Sequence, residues 1–331
     1  MSTMPETVGG PGRLRELQRM LVDNPPIVLT FVFIALFVAT DIVNRAQVGE
    51  PFLTAQSVST TFLYACPLAT IAAGQTLVML TAGVDLSVAT TATAGAYAVA
   101  WQGSNGAVAG IAFALAVGLG IGLVNGVGVG IFRVNPLVMT LGVSGVSLGM
   151  LTIYSGRDFE QTVPGVVKTL GSERFFTYIP WNLLVWAPLA ALIILGLRYS
   201  GYGRMLYAVG DNPLACRLAG VRVWQVLVVV YALSGMLSAL AGVLLLGFNN
   251  NADLGLATPF LLPSVAAVVI GGTSILGGFG GYGGTILGAL ILTVLDSLLT
   301  ILDAEQGVKQ ILYGAIIIAL AGIYARATGG D

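Results

Sequence analysis

From Leu86 to Phe132 the chain carries no charged residue, and comparable apolar tracts recur along its length. Such tracts leave little material for a soluble surface. About 20 apolar residues carry a helix through a bilayer, and ten tracts reach or approach that length: 27–44, 61–82, 86–101, 107–131, 137–155, 182–198, 223–247, 262–277, 284–302 and 308–325. The third and the eighth are short. Only 9% of the residues are charged, against about 25% in soluble domains. The sequence predicts an all-α polytopic membrane protein, integral from its first span, because no small-residue cleavage site follows the first apolar run.

Arginine and lysine collect on the cytoplasmic side of membrane proteins. With both termini inside, Arg13, Arg15, Arg19, Arg133, Arg198, Arg204, Arg217, Arg222 and Arg326 fall on the inner side, and Arg45, Arg157, Lys168, Arg174 and Lys309 on the outer. That balance places 1–24 and 327–331 in the cytoplasm, flanking a transmembrane region over 25–326. It puts the longest external segment at 156–181 and a polar segment, 200–222, on the inner face. The external segment carries Arg157, Asp158, Glu160, Lys168, Glu173 and Arg174, a mixed-charge surface that suits docking of a soluble partner or plain solvation.

The inner segment is the main departure from the apolar pattern. Arg204, Arg217, Arg222 and Asp211 gather around two turn signals. Asp211-Asn212-Pro213 reads as a turn into a short helix, since Asn accepts the first free helical N–H groups and Pro suits the first helical position. Leu214 to Leu218 then form one or two turns closed by Gly220. Too small to be a core, this piece reads as a knob offered to a partner.

Glycine clusters in GIGLVNGVGVG (120–130) and GGTSILGGFGGYGGTILGA (271–289). Close helix packing explains such runs, and so do broken helices whose backbone lines a wet path. Asp85, in TAGVDLSV (81–88), is expected to cap the third span. A charge at that depth costs about 2.5 to 3.5 kcal/mol and usually faces a cavity or a partner. Asp296 has no Lys or Arg near it in sequence and is expected to face another subunit or a pathway. Ser87, Asn125, Asn135, Thr140, Thr273 and Ser274 complete the pathway candidates; their hydrogen-bonding capacity suits a hydroxyl-rich solute or bonds between helices. Spans 2–5 and 7–10 suggest two four-helix blocks of opposite orientation.

Several chemistries are excluded. The chain has no histidine, and its two cysteines, Cys66 and Cys216, read as small buried fillers. Lys168 and Lys309 are both preceded by valine, so no Gly-Lys-Ser/Thr phosphate loop exists. GxSxG, HExxH and CxxC motifs are lacking, and no basic tract suits nucleic acid. Transport driven by another chain fits these features. A secondary transporter or facilitator, with only Asp85 and Asp296 for ion coupling, and a membrane-assembly protein are the alternatives from other classes.

Four segments, in order, then carry a resemblance: TAGVDLSV (81–88), NPLVMTLGVSGVSLGM (135–150), GRMLYAVGDNPLACRLAGV (203–221) and VAAVVIGGTSILGGFGGYGGTILGALI (265–291). They resemble the inner-membrane permease subunits of ribose-type ABC sugar importers, over about Gly74 to Ala325. The resemblance implies a type II-like importer permease in a bacterial inner membrane. It implies that the inner segment couples to an ATP-binding subunit through Arg204, Asn212, Pro213, Ala215, Arg217 and Gly220, with Gly203, Gly210, Leu218 and Ala219 alongside. It implies no cofactor in this chain, ATP and Mg on the partner ATPase, a second permease copy, surrounding lipid, and an external solute-binding protein that delivers a monosaccharide or related polyol. Ala89 stands where glycine often follows the first motif, Leu261 to Ser264 where an acid commonly precedes the fourth, and Cys216 where alanine is usual. Branched-chain amino acid permeases share glycine-rich segments such as 271–284 and are the alternative within the class.

Overall fold

The computed structural model describes residues 25–155 and 161–328. The N-terminal segment 1–24, the loop residues Arg157, Asp158 and Glu160, and residues 329–331 of the tail lie outside the described residues. In chain order the elements are α1 (Pro25–Gln47), α2 (Ala55–Met79), α3 (Val88–Gln102), α4 (Ala107–Gly130), α5 (Pro136–Ser155), α6 (Gly165–Ser172), β1 (Arg174–Phe175), β2 (Ile179–Pro180), α7 (Trp181–Tyr199), α8 (Gly201–Asp211), α9 (Pro213–Leu218), α10 (Val223–Asn249), α11 (Leu261–Ile270), α12 (Tyr282–Ile301) and α13 (Gln306–Thr328). Among the described residues, seven helices are long and apolar enough to cross a membrane: α1, α2, α4, α5, α7, α10 and α12. The tracts expected to be short form α3, with 15 residues, and α11, with 10, which stops at Ile270 where the tract was expected to run to 277.

Helix α10 is the axis of the molecule, and glycine decides how close its neighbours come. Gly118, Gly122, Gly126 and Gly130 repeat every four residues and so share one face of α4. A Cβ at Gly126 would come within 2.7 Å of Val228 Cα, and one at Gly130 within 2.9 Å of Trp224 O. At Gly118 and Gly122 it would run into the carbonyls of Gly235 and Tyr231. The first glycine run is therefore a packing surface. The expectation that helices break there is not met, since α4 continues unbroken to Gly130.

A paired substitution separates packing from propensity. Gly122→Leu must push two backbones apart, and overpacking costs about 1–3 kcal/mol or more. The folded, monodisperse fraction in detergent is expected to collapse. Gly120→Leu, at an exposed position with nothing within 4 Å, should leave that fraction intact by size-exclusion chromatography.

The second run does both jobs. Gly272, Gly277, Gly278 and Gly280 have positive φ and break the chain between α11 and α12, while Gly284 and Gly288 bring α12 against the carbonyls of Gly271 and Ala267.

Contacts sort the connections to two ends. At one end Gly278 N–H donates to Leu80 O (3.1 Å), Tyr207 O–H to Gly280 O (2.9 Å) and Thr140 O–H to Val84 O (3.3 Å). At the other, Thr162 N–H donates to Ala100 O (3.1 Å), Gln161 exchanges bonds with the Ala252 backbone (3.0 and 2.9 Å), and Arg174 donates to Ser59 Oγ (2.9 Å) and Thr60 Oγ1 (3.1 Å). The segment expected to be a long loop at 156–181 is in its described part a built cover. Helix α6 lies against the end of α10, where a Cβ at Gly171 would strike Gly247 and Phe248, and the antiparallel β1–β2 pair follows.

Candidate functional site

The polar segment 200–222 folds as two short helices, α8 and α9, that meet at Asn212. Ser200 Oγ accepts the Gly203 N–H (2.9 Å) and starts α8, a helix the sequence reading did not anticipate. Asn212 then ends α8 and begins α9, its Oδ1 accepting the Ala215 N–H (2.9 Å) with Pro213 at the first position. Gly220, at φ +84°, closes the knob. Cys216 is buried, whereas Arg204, Ala215, Arg217, Ala219 and Gly220 are exposed. Leu214 and Leu218, one helical turn apart, are 64% and 84% exposed. The knob thus presents an apolar pair on a polar background, and Leu214 is a member that the sequence reading missed.

The other face of α8 is seated on the bundle. Leu206 and Val209 are buried. Tyr202 O–H donates to Val226 O (2.9 Å). Gly203 lies against Leu197 O and Gly196 O. Gly210 lies against Leu80 O, and a Cβ there would come within 2.6 Å of Gly278 N. With the Tyr207–Gly280 bond, α8 touches both the 80–87 break and the 271–281 break. The knob is thereby packed against both backbone breaks.

Asp85 sits in the first break, 1% exposed. Its Oδ1 accepts from Ser87 N–H (2.9 Å) and Ser87 O–H (2.6 Å), and its Oδ2 from Ser234 O–H on α10 (2.8 Å). Asn125 on α4 donates to Ser87 Oγ (2.8 Å), and Thr140 Oγ1 on α5 accepts the Leu86 N–H (3.0 Å). Asp85, Ser87, Asn125 and Thr140 are therefore gathered at one place. The expected cap differs in detail. Ser87 occupies the N-cap position without a side-chain cap bond, and the carboxylate ties the break to α10 instead. Gln75, Asn125 Oδ1, Tyr231 Oη and Ser238 Oγ are buried polar groups without a hydrogen-bond partner among the described residues. Asp85→Asn keeps one acceptor oxygen for Ser87 while Ser234 can reverse its bond, so it is expected to move the melting temperature little. Asp85→Leu strands both hydroxyls, costing about 1–3 kcal/mol each, and should lower it clearly in a thermal scan in detergent.

The remaining candidates are dispersed. Asn135 Oδ1 caps α5 by accepting the Leu137 N–H (2.9 Å). Thr273 and Ser274 pin the glycine break, accepting from Gly281 N–H (3.1 Å) and Leu276 N–H (3.1 Å). Asp296 meets a cation after all, because Lys309 on α13 reaches its Oδ1 at 2.9 Å while also donating to Thr300 Oγ1 (2.7 Å). Tyr313 adds a bond to the same carboxylate (3.1 Å). That ion pair joins α12 to α13, at the end of the bundle away from Asp85. No sequence signal marked Ser234, Tyr231 or Tyr207, which act through contacts far apart in the chain.

The family model for branched-chain amino acid transport system / permease component matches residues 57–321. Among curated proteins, the autoinducer 2 import system permease protein LsrC of Yersinia pseudotuberculosis serotype O:3 (strain YPIII) is 32% identical over 308 residues, covering 91% of this chain and 85% of its own. LsrC of Yersinia enterocolitica serotype O:8 is 31% identical over 293 residues, covering 87% and 79%. No solved structure matches. The two breaks, the knob seated against them and this match over most of the chain agree, and the chain belongs to this family of ABC-importer permeases, as a transport component rather than an enzyme.

Proposed function

We propose that this chain is the membrane-spanning subunit of a ribose-type importer, moving a monosaccharide or related small polyol into a bacterial cell through the inner membrane. The observation that carries the proposal is the knob: an exposed Leu214/Leu218 pair on a segment whose other face rests on both helix breaks. A separate ATP-binding subunit docks there and supplies ATP and Mg; an external binding protein delivers the solute; a second permease copy completes the assembly. Segment 200–222 is the coupling segment, 25–326 the permease region, 156–181 external, and both termini are cytoplasmic. The sorting of connections to two ends supports ten traversals, with α3, α11 and α13 as the additional three. Inverted four-helix blocks are supported by matched element lengths, a helix of 25 or 27 residues, a break and a helix of 15 or 10. The names of the relatives, which import autoinducer 2, favour the sugar-type arm over an amino acid solute.

The test is purification of the tagged chain from its native membrane with mass spectrometry of its partners. An ATP-binding subunit and a solute-binding protein are expected. Recovery of the chain alone, with solute flux that ignores ATP, would replace the importer by a facilitator.

A further inference from the structure

Ahead of helix α7 the chain exposes a small aromatic hairpin. Strands β1 and β2 pair Phe175 with Ile179 and Arg174 with Pro180, and the pleat sends these two pairs to opposite faces. Arg174 and Pro180 turn inward: Pro180 is buried, and Arg174 donates to Ser59 and Thr60 at the start of α2. Phe175 and Ile179 turn outward and are exposed, as is Tyr178, while Phe176 at the turn is 78% exposed. The rings stand together, with Phe175 at 4.3 Å from Phe176 and 5.0 Å from Trp181 between centroids. The turn is also strained. Phe176 and Thr177 have φ of +46° and +67°, a region that bulky and β-branched residues rarely enter and that Asn or Gly takes more easily. A ring is thus kept at an exposed turn that does not favour it, and an exposed apolar patch of this kind marks a contact surface.

We infer that this tip, Phe175 to Ile179, is an interfacial anchor seated among lipid headgroups; the inference rests on α7 crossing the membrane. Depth favours lipid over a soluble protein as the partner. Helix α7 has 19 residues, about 28 Å at 1.5 Å per residue, which matches a hydrocarbon core about 30 Å thick. Trp181, its first residue, therefore lies at the edge of that core. Strands of two residues, at about 3.3 Å per residue, lift the turn by about 7 Å at most, within a headgroup layer about 5–8 Å deep on each side. A surface built for a soluble protein would have to clear that layer. The apolar face is also continuous with the bilayer side of α7, where Leu184, Leu192 and Leu195 are exposed on one face. Tyr178 and Trp181 suit such a boundary, because each has an apolar body and a polar handle. Held on α2 by Arg174 and in the interface by its rings, the hairpin fixes the height of the neighbouring α6 over the end of α10.

Fluorescence quenching tests the anchor. Thr177→Cys and Lys168→Cys, both at exposed positions, are made in the full chain, labelled with an NBD thiol reagent and reconstituted into phosphatidylcholine vesicles with or without a headgroup-nitroxide lipid. Cys66 and Cys216 are buried, so the label goes to the introduced thiol. The probe at Thr177 is expected to be quenched by the nitroxide lipid and to lose quenching by iodide supplied on both sides of the membrane. The probe at Lys168, a charged position on α6, should be quenched by iodide. Adding Phe176→Asn and Tyr178→Asn removes two rings while easing the turn. Iodide quenching at Thr177 should then return, with the size-exclusion profile unchanged. Iodide quenching at Thr177 as full as at Lys168, or protection that survives the loss of both rings, would overturn the anchor. Protection that arises only when a solute-binding protein is added would make the tip a protein-docking face and overturn it equally. Neither ATP nor solute enters these readings, so failure of the importer reading is seen separately.

Discussion

Glutamate at both Leu214 and Leu218 is expected to bring ATP-driven uptake to background while the protein inserts and folds normally. The two side chains are largely solvated in the free chain, and surface substitutions away from packed features change stability by about 0.5 kcal/mol or less. In the docked state they would be buried, each contributing about 1.5–3 kcal/mol. Losing about 3 kcal/mol lowers affinity by roughly a hundredfold, and a carboxylate forced into an apolar groove adds to the loss. Uptake in reconstituted vesicles, with a size-exclusion profile as the folding control, reads the effect. Leu218→Met, which keeps an apolar side chain of similar volume, should keep most of the uptake. Normal uptake in the double glutamate variant would remove the docking role from this face.

Gly210→Leu is expected to be the most damaging single change in the coupling segment, for the opposite reason. It adds nothing at the exposed surface. Its side chain would enter the space of Leu80 O and Gly278 N, and both neighbours are backbone at chain breaks, with no flexible tip to yield. Overpacking of this kind costs about 1–3 kcal/mol or more. Here the strain is released by lifting α8 off the breaks, so the ATPase should still bind through α9 but hydrolyse without moving solute. Co-purification of the ATPase with uptake lost is the expected result. Uptake retained at the wild-type rate would show that α8 does not transmit the stroke.

The two variants separately test the exposed face of the segment, proposed to dock, and its seated face, proposed to transmit, and the sequence showed these two faces unequally. Asn212, Pro213 and Gly220 are local signals; each acts on backbone within three residues, so the turn and the cap were legible. The apolar tracts were equally plain, because membrane depth imposes length and composition on every span. Helix α8 was not legible, since its three glycines argue against helix by propensity and its stability comes from seating Leu206 and Val209 on the bundle. Nor was the function of the glycines in α4 fixed by their number. Only the four-residue step, set against the carbonyls of α10, makes them a packing face. Asp85 was marked by its isolation, but its partner Ser234 lies 149 positions away, and Lys309 reached Asp296 only through the fold of α12 onto α13.

The most direct measurement is crosslinking from the knob itself. A photoreactive amino acid at Leu218, introduced into the full chain in its native membrane, is irradiated and its adducts are identified by mass. One principal protein adduct is expected, an ATP-binding subunit. Adducts confined to lipid, or to a protein without a nucleotide-binding loop, would contradict it.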